Sequence, residues 1–255
     1  PPPPPAHATS RCSSAASDVY KRQGLPDVVV ARLVDPGIPA AIARWTTRII
    51  LSHTQREEEY REYQTVGRWR PMRRRYPESV RVGVLGLGEV GRAVAGMARG
   101  ILHPVSGWRA TDEPVAGVRV LTGRAGLREL FETSSVLVNT LPSTPATRHL
   151  VDGGLLASLP DGAWFVNVGR GDVVDERVLL EALDGGTPAL AHLDVFEHEP
   201  LPADSALWSH PRVRVTPHVS GPTSTRTALP PLVENIHRVL DGLEPDHVVD
   251  QTRGY

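Results

Sequence analysis

From Val80 to Thr216 short apolar runs alternate with amphipathic stretches, which predicts β-strands joined by helices. The strands expected are Arg81–Gly88, Pro104–Trp108, Val118–Leu121, Ser135–Leu141, Ala163–Val168, Ala189–Val195 and Val213–Thr216. Between them helical spacing marks Val90–Ala98, Gly126–Glu132, Gly154–Leu159, Asp175–Leu183 and Ala206–Ser209. This rhythm with short loops predicts an α/β fold with a doubly wound parallel sheet. Upstream, Asp27–Val34 reads as a short buried strand bounded by Pro26 and the turn Asp35-Pro36-Gly37. Ile38, Ile42, Trp45 and Ile49 then fall at helical spacing, predicting one long helix from about Ile38 to Gln64 that turns polar at EEEYREY. A last helix spans about Thr223–Leu240. A break is expected at Pro230-Pro231, because proline donates no backbone bond.

The whole-chain properties narrow the class. The chain has 255 residues, a net charge of −1 and 40% hydrophobic content, so a globular protein of one or two domains is expected. No apolar run is long enough to span a bilayer, and the charge balance provides no field for nucleic acid. A single cysteine, Cys12, fits a reducing cytoplasm. Only one of the 28 basic residues is lysine, and both Lys21 and Cys12 lie in the proline- and serine-rich stretch 1–23. That segment is expected to be disordered, of foreign origin and without chemistry.

The run GLGEVG supplies the first chemistry. Gly86 permits a tight turn at a strand end, Gly88 lets backbone approach a pyrophosphate, and Gly91 lets helix and strand pack closely. The helix that follows offers unpaired N–H groups and a partial positive charge to phosphates. A nicotinamide dinucleotide is therefore expected on a Rossmann-type domain. An acidic residue at the end of the second strand would favour NAD, but Trp108-Arg109 stands there. Arg109 suits a 2′-phosphate, so NADP(H) is expected to be preferred, with NAD(H) left open.

Three further strings each place one candidate reacting residue after an expected strand. VNVGRG supplies Arg170, LDVFEHEPLP supplies Glu199 and VTPHVSG supplies His218. A guanidinium between glycines suits two-point capture of a carboxylate. An imidazole can protonate a carbonyl oxygen as hydride reaches carbon, and a carboxylate on its other nitrogen would fix the tautomer. No metal site is expected, because the spacing of His192, Asp194, His198 and His218 matches no zinc signature. The basic run Arg68–Arg75 reads as a solvated linker rather than a nucleic-acid surface.

These strings, with VGVLGLGEVGRAVA, LPSTPATRHLV and the terminal RGY, resemble the D-isomer-specific 2-hydroxyacid dehydrogenases over about Pro26–Tyr255. Within that family the chain looks most like the glyoxylate/hydroxypyruvate reductase A branch. The resemblance implies reduction of a small 2-keto acid to the D-2-hydroxy acid, with Arg170 as substrate anchor, Glu199 as histidine partner and His218 as acid/base. It implies cofactor contacts from Gly86, Gly88, Glu89, Val90, Gly91, Trp108, Arg109, Leu141, Pro142, Thr147, Val168, Gly169, Arg170, Asp194, His218 and Gly221, with Asp194 at the nicotinamide carboxamide. It also implies a homodimer and a second, flavodoxin-like substrate domain.

The expected organisation is residues 1–23 as a non-native segment, 24–66 as a remnant of the substrate domain with the crossing helix, and 67–79 as a linker. Residues 80–221 form the cofactor domain and 222–255 a return to the substrate domain. Most upstream strands of the substrate domain are expected to be absent, which leaves that domain incomplete and Asp27–Val34 without partners. The competing reading is a non-enzymatic cofactor sensor of the same fold, which would have no need of a proton donor.

Overall fold

The computed structural model describes residues 29, 31–101 and 103–248. The stretch 1–23 and the terminal RGY lie outside the described residues. The chain divides into two compact units, one of residues 38–221 and one of residues 1–37 with 222–255.

The larger unit holds a seven-stranded, all-parallel sheet in the order β3-β2-β1-β4-β5-β6-β7. Its strands are β1 (Val82–Leu85), β2 (Val105–Trp108), β3 (Arg119–Leu121), β4 (Val136–Asn139), β5 (Trp164–Asn167), β6 (Leu190–Leu193) and β7 (Val213–Val215). Every residue of β1, β4, β5 and β6 is buried, as a parallel sheet covered on both faces requires. Side chains of successive strand residues point to opposite faces, so each strand feeds two cores. Val82, Val84, Val136, Val138, Trp164 and Val166 join one core with Ile42, Ile49 and Ile50 of α1 (Gly37–Gln55) and Val94, Ala95 and Ala98 of α3 (Glu89–Gly100). Leu85, Leu137, Phe165, Ala191 and Leu193 join the other. There they meet Leu127, Leu130 and Phe131 of α4 (Gly123–Thr133), Leu156 of α5 (Gly153–Ala157), and Leu179 and Leu183 of α6 (Glu176–Asp184).

Local chemistry sets the helix starts. Asp152 caps α5 by accepting from the Leu155 N–H at 2.8 Å. Asp175 caps α6 by accepting from Arg177 at 2.9 Å and Val178 at 3.2 Å. The segment expected as a helix over Ala206–Ser209 is a single 3-10 turn, Ala206–Trp208, started by Ser205. The strand ends are shorter than the apolar runs, because residues such as Thr140 and Leu141 peel away into loops.

Three expectations need correction. The helix expected over Ile38–Gln64 is two helices, α1 and α2 (Glu57–Thr65), parted at Arg56, which has φ 59°. The basic segment folds back on the joint: Arg75 donates to the His53 carbonyl at 2.6 Å and grips Glu59 at 2.7 Å. Arg56 itself donates to the Arg73 carbonyl and pairs with Glu59. No residue of α2 is buried, so no apolar face holds one continuous axis.

The second correction concerns Asp27–Val34. Among its described residues Val29 is 65% and Leu33 49% exposed. Its pairing is one antiparallel bridge, Ala31 to Val248, with Arg32 N–H donating to the His247 carbonyl at 2.9 Å. Among the described residues of this stretch none is buried and the pairing is this one bridge, so they do not form the expected buried strand. The same unit contains Asp35, whose carboxylate accepts from Gly37 at 2.8 Å and Ser224 at 2.9 Å. The third correction is α7 (Thr225–Leu240), which runs unbroken through Pro230 and Pro231. Proline has a helical φ, and the two carbonyls deprived of a donor belong to Arg226, an exposed residue, and Thr227, a half-buried one.

Candidate active site

Because all seven strands run the same way, the loops leaving their carboxyl ends share one edge of the sheet. The structure brings all the expected site residues to that edge. Gly86–Gly91 follow β1, Trp108-Arg109 close β2, and Leu141, Pro142 and Thr147 follow β4. Val168–Arg170 follow β5, Asp194 and Glu199 follow β6, and His218 and Gly221 follow β7. β1 and β4 are neighbours although consecutive in neither direction, and this reversal of strand order opens the crevice where such sheets bind ligands.

The crevice is built around the glycine loop. Gly86 has φ 97°, its N–H donates to the Trp108 carbonyl at 2.9 Å, and its carbonyl accepts from the Thr140 hydroxyl at 2.8 Å. A Cβ on Gly91 would collide with that Gly86 carbonyl, so helix α3 and the strand end touch without a side chain between them. Among the described residues, a Cβ on Gly88 would meet nothing within 4 Å. Gly88 is exposed and caps α3 without a side chain of its own, so the first-turn amides of exposed Glu89 and half-buried Val90 receive no side-chain cap from it. These residues fit a dinucleotide's pyrophosphate.

At the end of β2, the Trp108 indole donates to the Gly123 carbonyl at 2.8 Å and Arg109 N–H donates to the Leu121 carbonyl at 3.1 Å. The Arg109 guanidinium pairs with the Glu113 carboxylate at 2.6 Å. The proposed cofactor loop after β4 closes on itself: the Thr147 hydroxyl donates to the Pro142 carbonyl at 2.6 Å.

Two asparagines, not anticipated from the sequence, join this loop to the next. Asn139 and Asn167 end neighbouring strands with the same Val-Asn pair, and the Asn139 amide donates to Asn167 Oδ1 at 2.8 Å. Asn139 also accepts from Leu141 N–H at 3.1 Å, and Asn167 accepts from Gly169 N–H and donates to the Arg170 carbonyl, each at 3.2 Å. A Cβ on Gly169 would press on the Leu141 amide nitrogen. Arg170 is half-buried there and its guanidinium donates to the Gly169 carbonyl at 2.7 Å.

Glu199 and His218 meet as the sequence predicts. Glu199 Oε2 lies 2.7 Å from His218 Nδ1, while Glu199 Oε1 accepts from the Phe196 N–H at 3.0 Å. Burial pushes the Glu199 carboxyl up, but the bonds from His218 and Phe196 and the charges of His218 and Arg170 outweigh it and hold it below the usual range. His218 sits at φ 55°, a left-handed turn that the sequence did not reveal.

Asp194 makes that turn. It is 0% exposed, and its Oδ1 accepts from the Thr216 hydroxyl at 2.6 Å and Val219 N–H at 2.9 Å, its Oδ2 from Ser220 N–H at 2.8 Å. Its main-chain carbonyl accepts from His218 N–H at 2.9 Å. In the structure Asp194 thus anchors the histidine loop, a position its resemblance-based role did not include. Gly221 ends the loop against α1, where a Cβ would press on Ile42.

A second unanticipated link joins the Arg170 and Glu199 loops. Glu176 and Glu197 cap each other's main chain, Glu176 N–H to Glu197 Oε1 at 2.9 Å and Glu197 N–H to Glu176 Oε1 at 2.8 Å. Burial, with the neighbouring charge of Glu197, pushes the Glu176 carboxyl up against the pull of the backbone bond.

Comparison with known proteins agrees with this geometry. The family model for the NAD binding domain of D-isomer specific 2-hydroxyacid dehydrogenases matches residues 47–220. The chain is similar to a D-isomer specific 2-hydroxyacid dehydrogenase from Xanthobacter autotrophicus Py2, solved with NADPH and MES. The two are 42% identical over 93% of this chain and 99% of that one, with a TM-score of 0.87. It is also similar to the NADPH-dependent glyoxylate/hydroxypyruvate reductase of Sinorhizobium meliloti in complex with NADP and sulfate. That pair is 33% identical over 93% and 77% of the two chains, with a TM-score of 0.87. A third is a probable 2-hydroxyacid dehydrogenase from Rhizobium etli CFN 42 with NADP, HEPES and L(+)-tartaric acid, 31% identical over 91% and 75%, TM-score 0.80.

Proposed function

We propose that this chain, which belongs to the D-isomer-specific 2-hydroxyacid dehydrogenase family, reduces a small 2-keto acid of the glyoxylate or hydroxypyruvate type to the D-2-hydroxy acid. NADPH is the preferred nicotinamide and NADH the second. When bound, the nicotinamide supplies the hydride. The similarity to an NADPH-dependent glyoxylate/hydroxypyruvate reductase supports the substrate class, and the Glu199–His218 contact of 2.7 Å is the observation that carries the chemistry.

The residues divide the work. The glycine loop and the α3 amides hold the pyrophosphate, and Arg109 holds the 2′-phosphate. Leu141, Pro142, Thr147, Val168, Gly169 and Gly221 line the rest of the cofactor path, and buried Asp194 holds the histidine loop beside it. Arg170 binds the substrate carboxylate and, through its charge, draws electrons toward the adjacent keto oxygen. With Nδ1 held by Glu199, the proton for that oxygen comes from His218 Nε2. One hydride to carbon and one proton to oxygen complete the hydroxy acid, and the imidazole is left neutral. Glu199, held below the usual carboxylate range, stays anionic and offsets the imidazolium before transfer.

The test is His218→Ala, assayed with glyoxylate and hydroxypyruvate and NADPH. Turnover should fall about 10²–10⁴-fold, the usual contribution of a positioned general acid, with NADPH affinity kept within about twofold. Unchanged turnover would remove His218 as the proton donor, and wild-type protein that binds NADPH but turns over no 2-keto acid would leave the sensor reading in possession of the fold.

A further inference from the structure

The arginine assigned to the cofactor's 2′-phosphate already has an anion. Arg109 Nη2 lies 2.6 Å from Glu113 Oε2, and Arg109 Nη1 donates to the Glu113 main-chain carbonyl at 3.3 Å. The two partners are held very differently. Arg109 is tied by its own N–H to the Leu121 carbonyl, and the preceding carbonyl, that of Trp108, accepts from Gly86 of the glycine loop. Its side chain is 19% exposed. Glu113 sits in the run 110–114, all of whose residues are exposed, and its side chain is 62% exposed. The main chain that carries the arginine is therefore fixed beside the crevice and its side chain is mostly buried, whereas the anion lies on an exposed run and is the partner that can leave.

We propose that Glu113 competes with the cofactor's 2′-phosphate for Arg109, and so sets how far the site prefers NADPH over NADH. This rests on the reading of Arg109 as the 2′-phosphate contact. A phosphate monoester carries a charge of about −1.5 to −2 near neutrality, more than a carboxylate, and presents three acceptor oxygens, so it can displace Glu113. Once displaced, the carboxylate remains within reach of the phosphate and repels it, so NADPH binds less tightly than Arg109 alone would allow. NADH has a neutral 2′-hydroxyl and leaves the Arg109–Glu113 pair intact. The pair thus narrows the gap between the two cofactors. Because Glu113 is exposed, water and salt screen it, and the effect is one of a few-fold rather than many orders.

The experiment is a titration of the full chain with NADPH, NADH and the probe 2′,5′-ADP at low ionic strength. It compares wild type, Glu113→Gln, Arg109→Ala and the double variant. Glu113→Gln should tighten NADPH and 2′,5′-ADP by about twofold to fivefold, the range open to an exposed pair, while leaving NADH unchanged. The gain should shrink with added salt and vanish in the Arg109→Ala background. If Glu113→Gln leaves NADPH binding unchanged while Arg109→Ala weakens it, the competition is overturned and the 2′-phosphate reading of Arg109 stands. Weaker NADH binding by Glu113→Gln would make Glu113 a ribose ligand and equally overturn the proposal. If Arg109→Ala alters neither cofactor, both the competition and the Arg109 contact fail, and the reductase assignment is then judged on His218→Ala alone.

Discussion

Asp194 is the residue whose position says more than its sequence context. Three donors converge on a carboxylate with no access to water, and they come from the loop that turns His218 into a left-handed conformation. Asp194→Asn replaces one acceptor oxygen by an NH₂ that must face a donor. The variant should lose about 1–3 kcal/mol of stability, the cost of an unsatisfied buried group, seen as a lower urea midpoint. Its turnover should fall further than its NADPH affinity, because the histidine turn is what loosens. An unchanged midpoint would refute the anchoring role. At this scale the sequence displayed identities well and conformations poorly. Arg170, Glu199 and His218 stand out in distinctive strings, and the Glu199–His218 contact forms as expected. The φ of His218 and the Glu176–Glu197 link did not show, because each depends on residues brought together from separate loops.

Among the elements, the β1–loop–α3 unit separates two uses of glycine. At Gly91 a methyl group would strike the Gly86 carbonyl, whereas at Gly88 it would meet none of the described residues within 4 Å. Gly88 also has φ −72°, which alanine adopts without strain. Gly88→Ala should therefore melt like wild type and bind NADPH at least about tenfold more weakly, because its methyl occupies the space the phosphates need. Gly91→Ala should instead lose stability by about 1–3 kcal/mol through overpacking, with cofactor loss following. Equal melting of the two variants would contradict this division. The strands were legible at this scale because burial on both faces leaves unbroken apolar runs such as VGVL of β1. The periodicity predicts one long helix because the segment that folds back on the joint at Arg56, through Arg73 and Arg75, comes from outside the helix pattern. The proline pair was read as a break, yet the exposed α7 continues through it.

For the whole molecule, two buried histidines govern the response to acid. Burial, helped by Arg75, pushes His53 down to about 4, and burial with Arg48, Arg214 and Arg61 nearby pushes His192 down to about 3. In the unfolded chain both take up protons near 6.5, the ordinary histidine value, so between there and the lowered values the unfolded state binds more protons. The stability they contribute is complete above about pH 6.5 and is lost as pH falls, by up to about 1.4 kcal/mol per pH unit for each group. The melting temperature should decline steadily below about pH 6.5, and His192→Leu should remove about half of that slope. An identical slope in the variant would assign the acid sensitivity elsewhere.

The single-edge arrangement of the site also has a consequence for how the protein can vary. Counted across the sheet, the glycine loop, Arg109 and the Thr147 loop leave β1, β2 and β4, and the three proposed reacting groups leave β5, β6 and β7, with Val168, Gly169 and Gly221 carrying the cofactor path alongside them. Neighbouring strands are about 4.8 Å apart, so the distance from anchor to proton donor is measured out in whole strands, about 10 Å at the root. Loop insertions alter reach but not that interval. The sheet therefore works as a ruler with two scales, and cofactor taste can be rewritten at one end without recalibrating the other.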